Sequence, residues 1–206
     1  MQKISIKTLA RRVRSGECEN IPVKDLVEEA SGFLNRAVGF GMDGSYKVAA
    51  EFFKAAKEDV DFAYGISAEL EEKVRCADWF HLTMFHFHSM NATIYLDDKR
   101  YYKALEEISA AKAMYGVMME DFAARNEDRI PDFSDLEGHL FYLTEAEAIA
   151  KKGIAEIDQN PDRMVFLQNE LDYAVSREMF IYAAKLRDKI KKLKEELVCS
   201  PSAFCS

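Results

Sequence analysis

Three of the four histidines fall close together, at His81, His86 and His88. In a helix His81 and His88 share a face, while His86 points about 140° away. Asp78 stands one helical turn before His81, so a carboxylate and an imidazole would lie side by side. Such pairs are the ligands of metal sites in helical bundles, and a second helix bearing His139 could complete one. The first chemistry to consider is therefore metal-dependent catalysis.

The same histidines also have a structural interpretation. Di-metal bundles use Glu-x-x-His from each of two helices together with further glutamates, and this chain offers one imperfect copy. His88 stands among aromatic residues, which is typical of a buried histidine held by a hydrogen bond. We therefore predict a packing role for His88 and expect no metal and no cofactor. A metal-dependent helical-bundle enzyme remains the alternative.

Other catalytic motifs are not apparent in the sequence. It contains no Gly-x-x-x-x-Gly-Lys-Ser/Thr phosphate-binding loop, and residues 39–44 are a glycine-dense turn without the order of a dinucleotide fingerprint. The cysteines Cys18, Cys76, Cys199 and Cys205 lack the spacing of zinc ligands. Scattered cysteines of this kind indicate free thiols and predict a cytoplasmic location.

The elements that would position these residues are helices throughout. Apolar residues recur at spacings of three and four, the period of amphipathic helices. With 9 glycines and 4 prolines in 206 residues, a turn-rich all-β fold is excluded. We predict helices over about residues 22–38, 45–64, 67–96, 99–127 and 134–157, then two more within 162–198. Their expected N-terminal caps are Ser67, the Asp97-Asp98 pair and Ser134, the last in a capping box with Glu137.

Two segments share an aromatic–small–bulky–small pattern. They are Tyr46, Ala49, Phe53 and Ala56, preceded by Phe33, Ala37 and Phe40, and Tyr101, Ala104, Ile108 and Ala111, preceded by His88, Ala92 and Tyr95. The pattern resembles the tetratricopeptide repeat, in which small residues let two helices approach closely. The copies are 55 residues apart, however, and not the 34 of a tandem array. Ordinary antiparallel helix packing explains the pattern equally well.

The C-terminal part carries two stripes of coiled-coil spacing, joined across residues 176–179. The first consists of Met164, Leu167, Leu171 and Ala174, and the second of Ala183, Leu186, Ile190, Leu193 and Leu197. This arrangement predicts an antiparallel helical hairpin whose helices lie closest at Ala183 and Ala184. A hairpin of this size has little core of its own, so we expect it to pack on the preceding helices or on a partner.

Over about 27 residues the same segment resembles the UVR motif. In that family the hairpin is the contact between the excision-repair subunits UvrB and UvrC, and related motifs occur in ClpC-type unfoldases and the McsA adaptor. The positions that match are Leu171, Ala174, Glu178, Phe180, Ala183, Ala184, Leu186, Arg187, Asp188, Ile190 and Leu193. The family often has an acid after the phenylalanine, where this chain has Ile181, which makes the surface more apolar.

The resemblance implies a protein-binding module and no chemistry, with those eleven residues as partner-binding candidates. For Phe180 and Leu186 we favour a place in the hairpin core. Arg187 and Asp188 either face a partner or form ion pairs inside the hairpin, and both interpretations stay open. Because the family uses the motif in pairs, a homodimer is a further possibility.

Charge and hydropathy restrict the other partners. The net charge is −8, so the chain as a whole is not a binder of nucleic acid, and no apolar run is long enough to cross a membrane. Residues 1–14 carry five bases and no acid, and residues 185–194 carry six bases and one acid. Such runs are usually solvated helix faces, although they leave a nucleic-acid accessory protein as a third hypothesis.

Together these patterns predict an all-α protein. Residues 1–160 form an irregular, repeat-like helical bundle, 161–198 a UVR-like hairpin and 199–206 a disordered tail. The expected function is that of a non-enzymatic adaptor linked to excision repair or Clp-type proteolysis.

Overall fold

The computed structural model describes residues 23–125 and 136–198. Within those ranges 90% of the residues are helical and no strand occurs, so the all-α prediction is confirmed. The helices are α1 (Val23–Met42), α2 (Tyr46–Ile66), α3 (Leu70–Asp97), α4 (Tyr101–Ala124), α5 (Leu136–Gln159), α6 (Arg163–Ser176) and α7 (Phe180–Val198). The predictions for Ser134, Cys18 and residues 1–22 and 199–206 lie outside the described residues.

Short turns join the helices, and their backbone conformations set where each helix ends. Gly44 has a φ of 75°, which glycine adopts without a steric penalty, and it separates α1 from α2. The prediction that the first helix ends near residue 38 was wrong, because α1 continues through Gly39 and Gly41 to Met42. A helix tolerates glycine at a modest cost, so only the left-handed position interrupts it.

Two of the predicted helix caps are also wrong. Ser67 ends α2, and its hydroxyl donates a hydrogen bond to the Ala63 carbonyl at 2.7 Å. The residue preceding α3 is Glu69, which makes no capping bond. Asp97 closes α3, and Arg100 instead of an aspartate precedes α4. In both cases the polar residue belongs to the end of one helix instead of the start of the next.

Alanine lines the closest approaches within the bundle of α1 to α5. The central core contains fully buried alanines from each of these helices, namely Ala37, Ala49, Ala56, Ala92, Ala104, Ala111, Ala146 and Ala150. Larger side chains such as Phe53, Phe85 and Ile108 fill the space between them. The small residues of the repeated pattern therefore lie where helix pairs α1–α2 and α3–α4 pack together.

A second hydrophobic cluster lies between the first half of α1 and the last turns of α2. Leu26 and Ala30 of α1 pack there with Val60 and Ala63 of α2 and with Cys76 of α3. The same interface also buries a carboxylate, that of Asp59, which is 2% exposed. None of the described helices is both long and apolar enough to cross a bilayer.

Candidate functional site

The apolar stripes of α6 and α7 face each other and form a core of their own. Its buried members are Leu167, Ala174, Tyr182, Ala183, Leu186, Ile190 and Leu193. Leu186 is 1% exposed, so its predicted core position is confirmed. Five of the eleven partner-binding candidates, Ala174, Ala183, Leu186, Ile190 and Leu193, are thus occupied inside the chain. We call α6 and α7 together the helix pair.

The turn of the helix pair presents apolar side chains to solvent. Phe180 is 69% exposed and Ile181 80% exposed at the start of α7, and Val175 is 44% exposed at the end of α6. The predicted core position of Phe180 is therefore wrong. The α7 stripe begins at Tyr182 and Ala183, which turns the two preceding side chains outward. We call Val175, Phe180 and Ile181 the apolar tip.

The remaining candidates differ in how deeply they are buried. Leu171 is half-buried against the core of the helix pair, and Ala184 is exposed. Glu178 lies in the turn with a φ of 57°, a backbone conformation that is uncommon for residues other than glycine and asparagine. Arg187 and Asp188 are exposed and make no ion pair with any described residue. The interpretation that they pair inside the hairpin is therefore wrong.

Polar contacts attach the helix pair to the start of α4. Arg100 donates a hydrogen bond to the Glu170 carboxylate at 2.9 Å, and its guanidinium lies 3.3 Å from the centre of the Tyr173 ring. The Tyr182 hydroxyl donates to the other oxygen of Glu170, also at 2.9 Å. Burial and the nearby Glu170 charge raise the pKa of Tyr182, so the hydroxyl keeps its proton as a donor. Arg100, Glu170 and Tyr182 thus form one charged junction.

Part of the basic run on α7 belongs to the same attachment. Lys185 pairs with Glu106 of α4 at 2.5 Å. Lys189 lies 3.7 Å from the centre of the Tyr102 ring, and burial lowers its pKa. Two of the six bases in residues 185–194 are therefore directed toward the protein, which weakens the case for a nucleic-acid surface.

The four metal-ligand candidates are not brought together. The Asp78 carboxylate pairs with Arg125 at 3.1 Å, and His81 Nδ1 lies 3.9 Å from Asp121. His88 Nδ1 is 2.7 Å from Glu107, the hydrogen bond that its aromatic setting predicted. Among the residues that the structure describes, no group of three or more histidine, cysteine or acidic side chains could hold a metal ion.

His139 lies instead beside His86, the histidine that the spacing argument set aside. The two rings are edge to face with centres 5.0 Å apart, and the Phe85 ring completes the group. Burial, reinforced by the neighbouring His139, lowers the pKa of His86 to about 3. His86 is therefore a neutral imidazole at physiological pH. Both histidines line a cavity of about 300 Å³.

The comparisons with known proteins give no relative. No family model matches the chain, and no curated protein and no solved structure matches it. The fold class accordingly comes from the structure alone, and the UVR resemblance from the residues named above.

The sequence alone did not indicate a role for the residues of the junction or for His86. Arg100, Glu170 and Tyr182 gave no motif, because their partners lie 70 and 12 residues away along the chain. His86 was set aside because it does not share the face of His81 and His88. The sequence feature that could have predicted its burial is the pair of flanking residues Phe85 and Phe87, since a polar ring between aromatic residues is frequently buried.

Proposed function

We propose that this chain is a non-enzymatic adaptor that docks partner proteins through the apolar tip of its helix pair. The observation that carries the proposal is the exposure of Phe180 and Ile181, at 69% and 80%, side by side at the turn. Exposed large apolar groups that lie together mark interaction surfaces, and aromatic residues supply much of the energy of such contacts.

The inner stripe is not the docking surface in this proposal. Leu186 and Ile190 already pack against α6, and presenting them to a partner would require the helix pair to open. The tip needs no such rearrangement. The UVR resemblance supports the same segment, and by that likeness the partner would belong to excision repair or to Clp-type proteolysis.

The setting proposed for this adaptor is a reducing cytoplasm. Cys76 supports it as a free, buried thiol. The partner could equally be a second copy of the chain, because a tip that binds its own equivalent gives a symmetric dimer. A second copy of the chain predicts a dimeric mass for the purified protein, whereas a different partner protein predicts a monomeric mass.

A double variant tests the proposal, Phe180→Ser together with Ile181→Ser. Leu70→Ser is the matched control, because Leu70 is 79% exposed on the bundle, far along the chain from the tip. All three proteins would be used as baits in lysate, with circular dichroism to verify folding. Each captured protein would then be purified and its affinity for the three baits measured. Analytical ultracentrifugation would give the mass of each bait alone.

We expect a directly binding protein that the control retains and the tip variant loses by more than about tenfold, since hot-spot side chains each contribute over 1 kcal/mol. A wild-type dimer that becomes a monomer only in the tip variant would identify a second copy as the occupant. If all three baits bind every partner equally and share one mass, the tip is not the docking surface.

A further inference from the structure

A cavity of about 300 Å³ lies among α1, α2, α3 and α5. Val38 and Met42 of α1, Phe53 of α2 and Met90 of α3 supply apolar walls. This volume is at the lower end of the range for ligand pockets, which are mostly apolar with a few placed polar groups. The size therefore suits a molecule of one or two rings. We call this space the imidazole cavity.

The polar groups of the imidazole cavity are aromatic or hydroxylic. His86 and His139 meet edge to face, and neither makes a hydrogen bond with any described residue. On α3 and α5, the Thr93 and Tyr142 hydroxyls lie 2.9 Å apart and satisfy each other. A neutral imidazole has one N–H donor and one acceptor nitrogen. His86 thus offers unused hydrogen-bonding capacity beside an apolar space.

The lining contains no lysine, arginine, aspartate or glutamate. Burial holds His86 in its neutral form, as its lowered pKa indicates. The cavity is open on the side of Met42, which is 84% exposed, so a charged ligand would lose only part of its hydration, but it would find no opposite charge in return, which is still costly. An uncharged aromatic molecule would lose little on entry and would gain contacts with the surrounding rings.

We propose that the imidazole cavity binds a small, uncharged aromatic molecule carrying one hydrogen-bonding group, which His86 recognises. This site shares no residue with the apolar tip, so its test and the test of the adaptor function are independent of each other. It assigns a role to the pair of histidines that packing alone leaves without hydrogen bonds.

Methyl NMR of the full chain tests this proposal. Indole and phenol serve as uncharged probes, and benzoate and benzylammonium as charged probes of similar size. The reporters are the methyl groups of Met42 and Met90, which line the cavity. Met118 is buried elsewhere in the core and serves as the internal reference. We expect saturable shifts of the cavity methyls with indole or phenol and none with the charged probes.

Two glycines of α1 provide a matched pair of variants. Gly41 lines the imidazole cavity and Gly39 does not, and a Cβ on either meets nothing within 4 Å. Gly41→Leu should weaken probe binding by more than about tenfold by filling the space, whereas Gly39→Leu should leave it unchanged. His86→Phe keeps a ring but removes the hydrogen bond, and should weaken binding about fivefold.

Four results would overturn the proposal in whole or in part. One is the lack of any saturable shift with both indole and phenol. Another is benzoate or benzylammonium binding as tightly as the uncharged probes. The third is an equal loss of binding in Gly39→Leu and Gly41→Leu while both remain folded. Binding that survives His86→Phe unchanged would overturn the assignment of His86 as the recognising group.

Discussion

The bundle and the helix pair are held by different forces. In the bundle, fully buried alanines such as Ala49 and Ala104 let helices touch over long apolar seams. The helix pair is instead attached to the bundle by fewer side-chain contacts, which include the Arg100–Glu170 and Lys185–Glu106 ion pairs and the packing of Tyr102 on its core. Close-packed seams resist rearrangement, whereas an exposed ion pair such as Lys185–Glu106 contributes little net stability. We therefore expect the helix pair to be more easily released than the helices of the bundle.

The bundle and the junction also differ in the hydrogen bonding of their carboxylates. Glu170 of the junction accepts hydrogen bonds from both Arg100 and Tyr182. Asp59 of the bundle is buried, and its Oδ2 has no hydrogen-bond partner among the described residues. The bundle should consequently respond to pH, and the attachment of the helix pair should respond to salt through its exposed Lys185–Glu106 pair.

The largest expected effect is that of Asp59 on the pH dependence of stability. Burial, with added repulsion from Glu29 and Glu58, raises the pKa of Asp59 from 3.8 to about 7. The folded state then holds this proton more tightly than the unfolded state, so the stabilisation is complete below about pH 4 and is lost as the pH rises to 7. The difference corresponds to about 4 kcal/mol. Asp59→Asn should therefore raise the free energy of unfolding at pH 8, by about 2–4 kcal/mol, and hardly change it at pH 4.

Urea denaturation of both proteins across this pH range would measure the difference. His86 complicates the wild-type curve, because its lowered pKa makes stability rise with pH between about 3 and 6.5. The contributions of Asp59 and His86 to stability change with pH in opposite directions. The free energy of unfolding of Asp59→Asn should therefore rise with pH over this range, whereas in the wild type the loss from Asp59 offsets that rise. A constant difference between the two proteins from pH 4 to pH 8 would show that Asp59 is ionised at no unusual cost.

A smaller effect is expected where α5 passes the start of α4. A Cβ added to Gly153 would lie 2.6 Å from Cγ of the Tyr101 ring, closer than real contacts allow. Gly153→Ala should therefore lower the free energy of unfolding by about 1–3 kcal/mol through overpacking.

Gly116 on α4 is the matched control, because a Cβ there meets nothing within 4 Å. Gly116→Ala should raise stability by up to about 1 kcal/mol through helix propensity alone. Thermal denaturation monitored by circular dichroism compares the two. Equal behaviour of both variants would mean that Tyr101 moves aside freely and that this contact between helices is loose.

The sequence was most informative where periodicity decides the outcome. Alanines spaced three and four apart predicted the buried seams, because a helix face is a local property of the chain. The stripe from Ala183 to Leu193 predicted the core of α7 for the same reason. The prediction for Phe180 failed, since a residue at a turn can face either way and only the packing of both helices decides. The partners of Arg100 and His86 are distant in sequence, so no local pattern could specify them.

The smallest effect concerns the junction itself and tests whether the helix pair is the more easily released region. Arg100→Gln removes the ion pair with Glu170 and the contact with the Tyr173 ring, while Tyr182 still donates to the carboxylate. We expect the free energy of local opening of α6 and α7 to fall by about 1 kcal/mol, with the core of α3 unaffected. Amide hydrogen exchange of both regions measures this difference.

Arg187→Gln is the matched control, because Arg187 is exposed on the same helix pair and contacts no described charged group. Raising the salt concentration should mimic Arg100→Gln in the wild type by screening the Lys185–Glu106 pair, whose lysine is 60% exposed. The variant should keep the salt sensitivity of the wild type, because the exposed Lys185–Glu106 pair is still present and the Arg100–Glu170 pair that it lacks is largely shielded from salt. If instead α3 and α7 lose protection together, the junction is part of one cooperative unit. Docking through the apolar tip is compatible with either result, because Phe180 and Ile181 are exposed without any rearrangement.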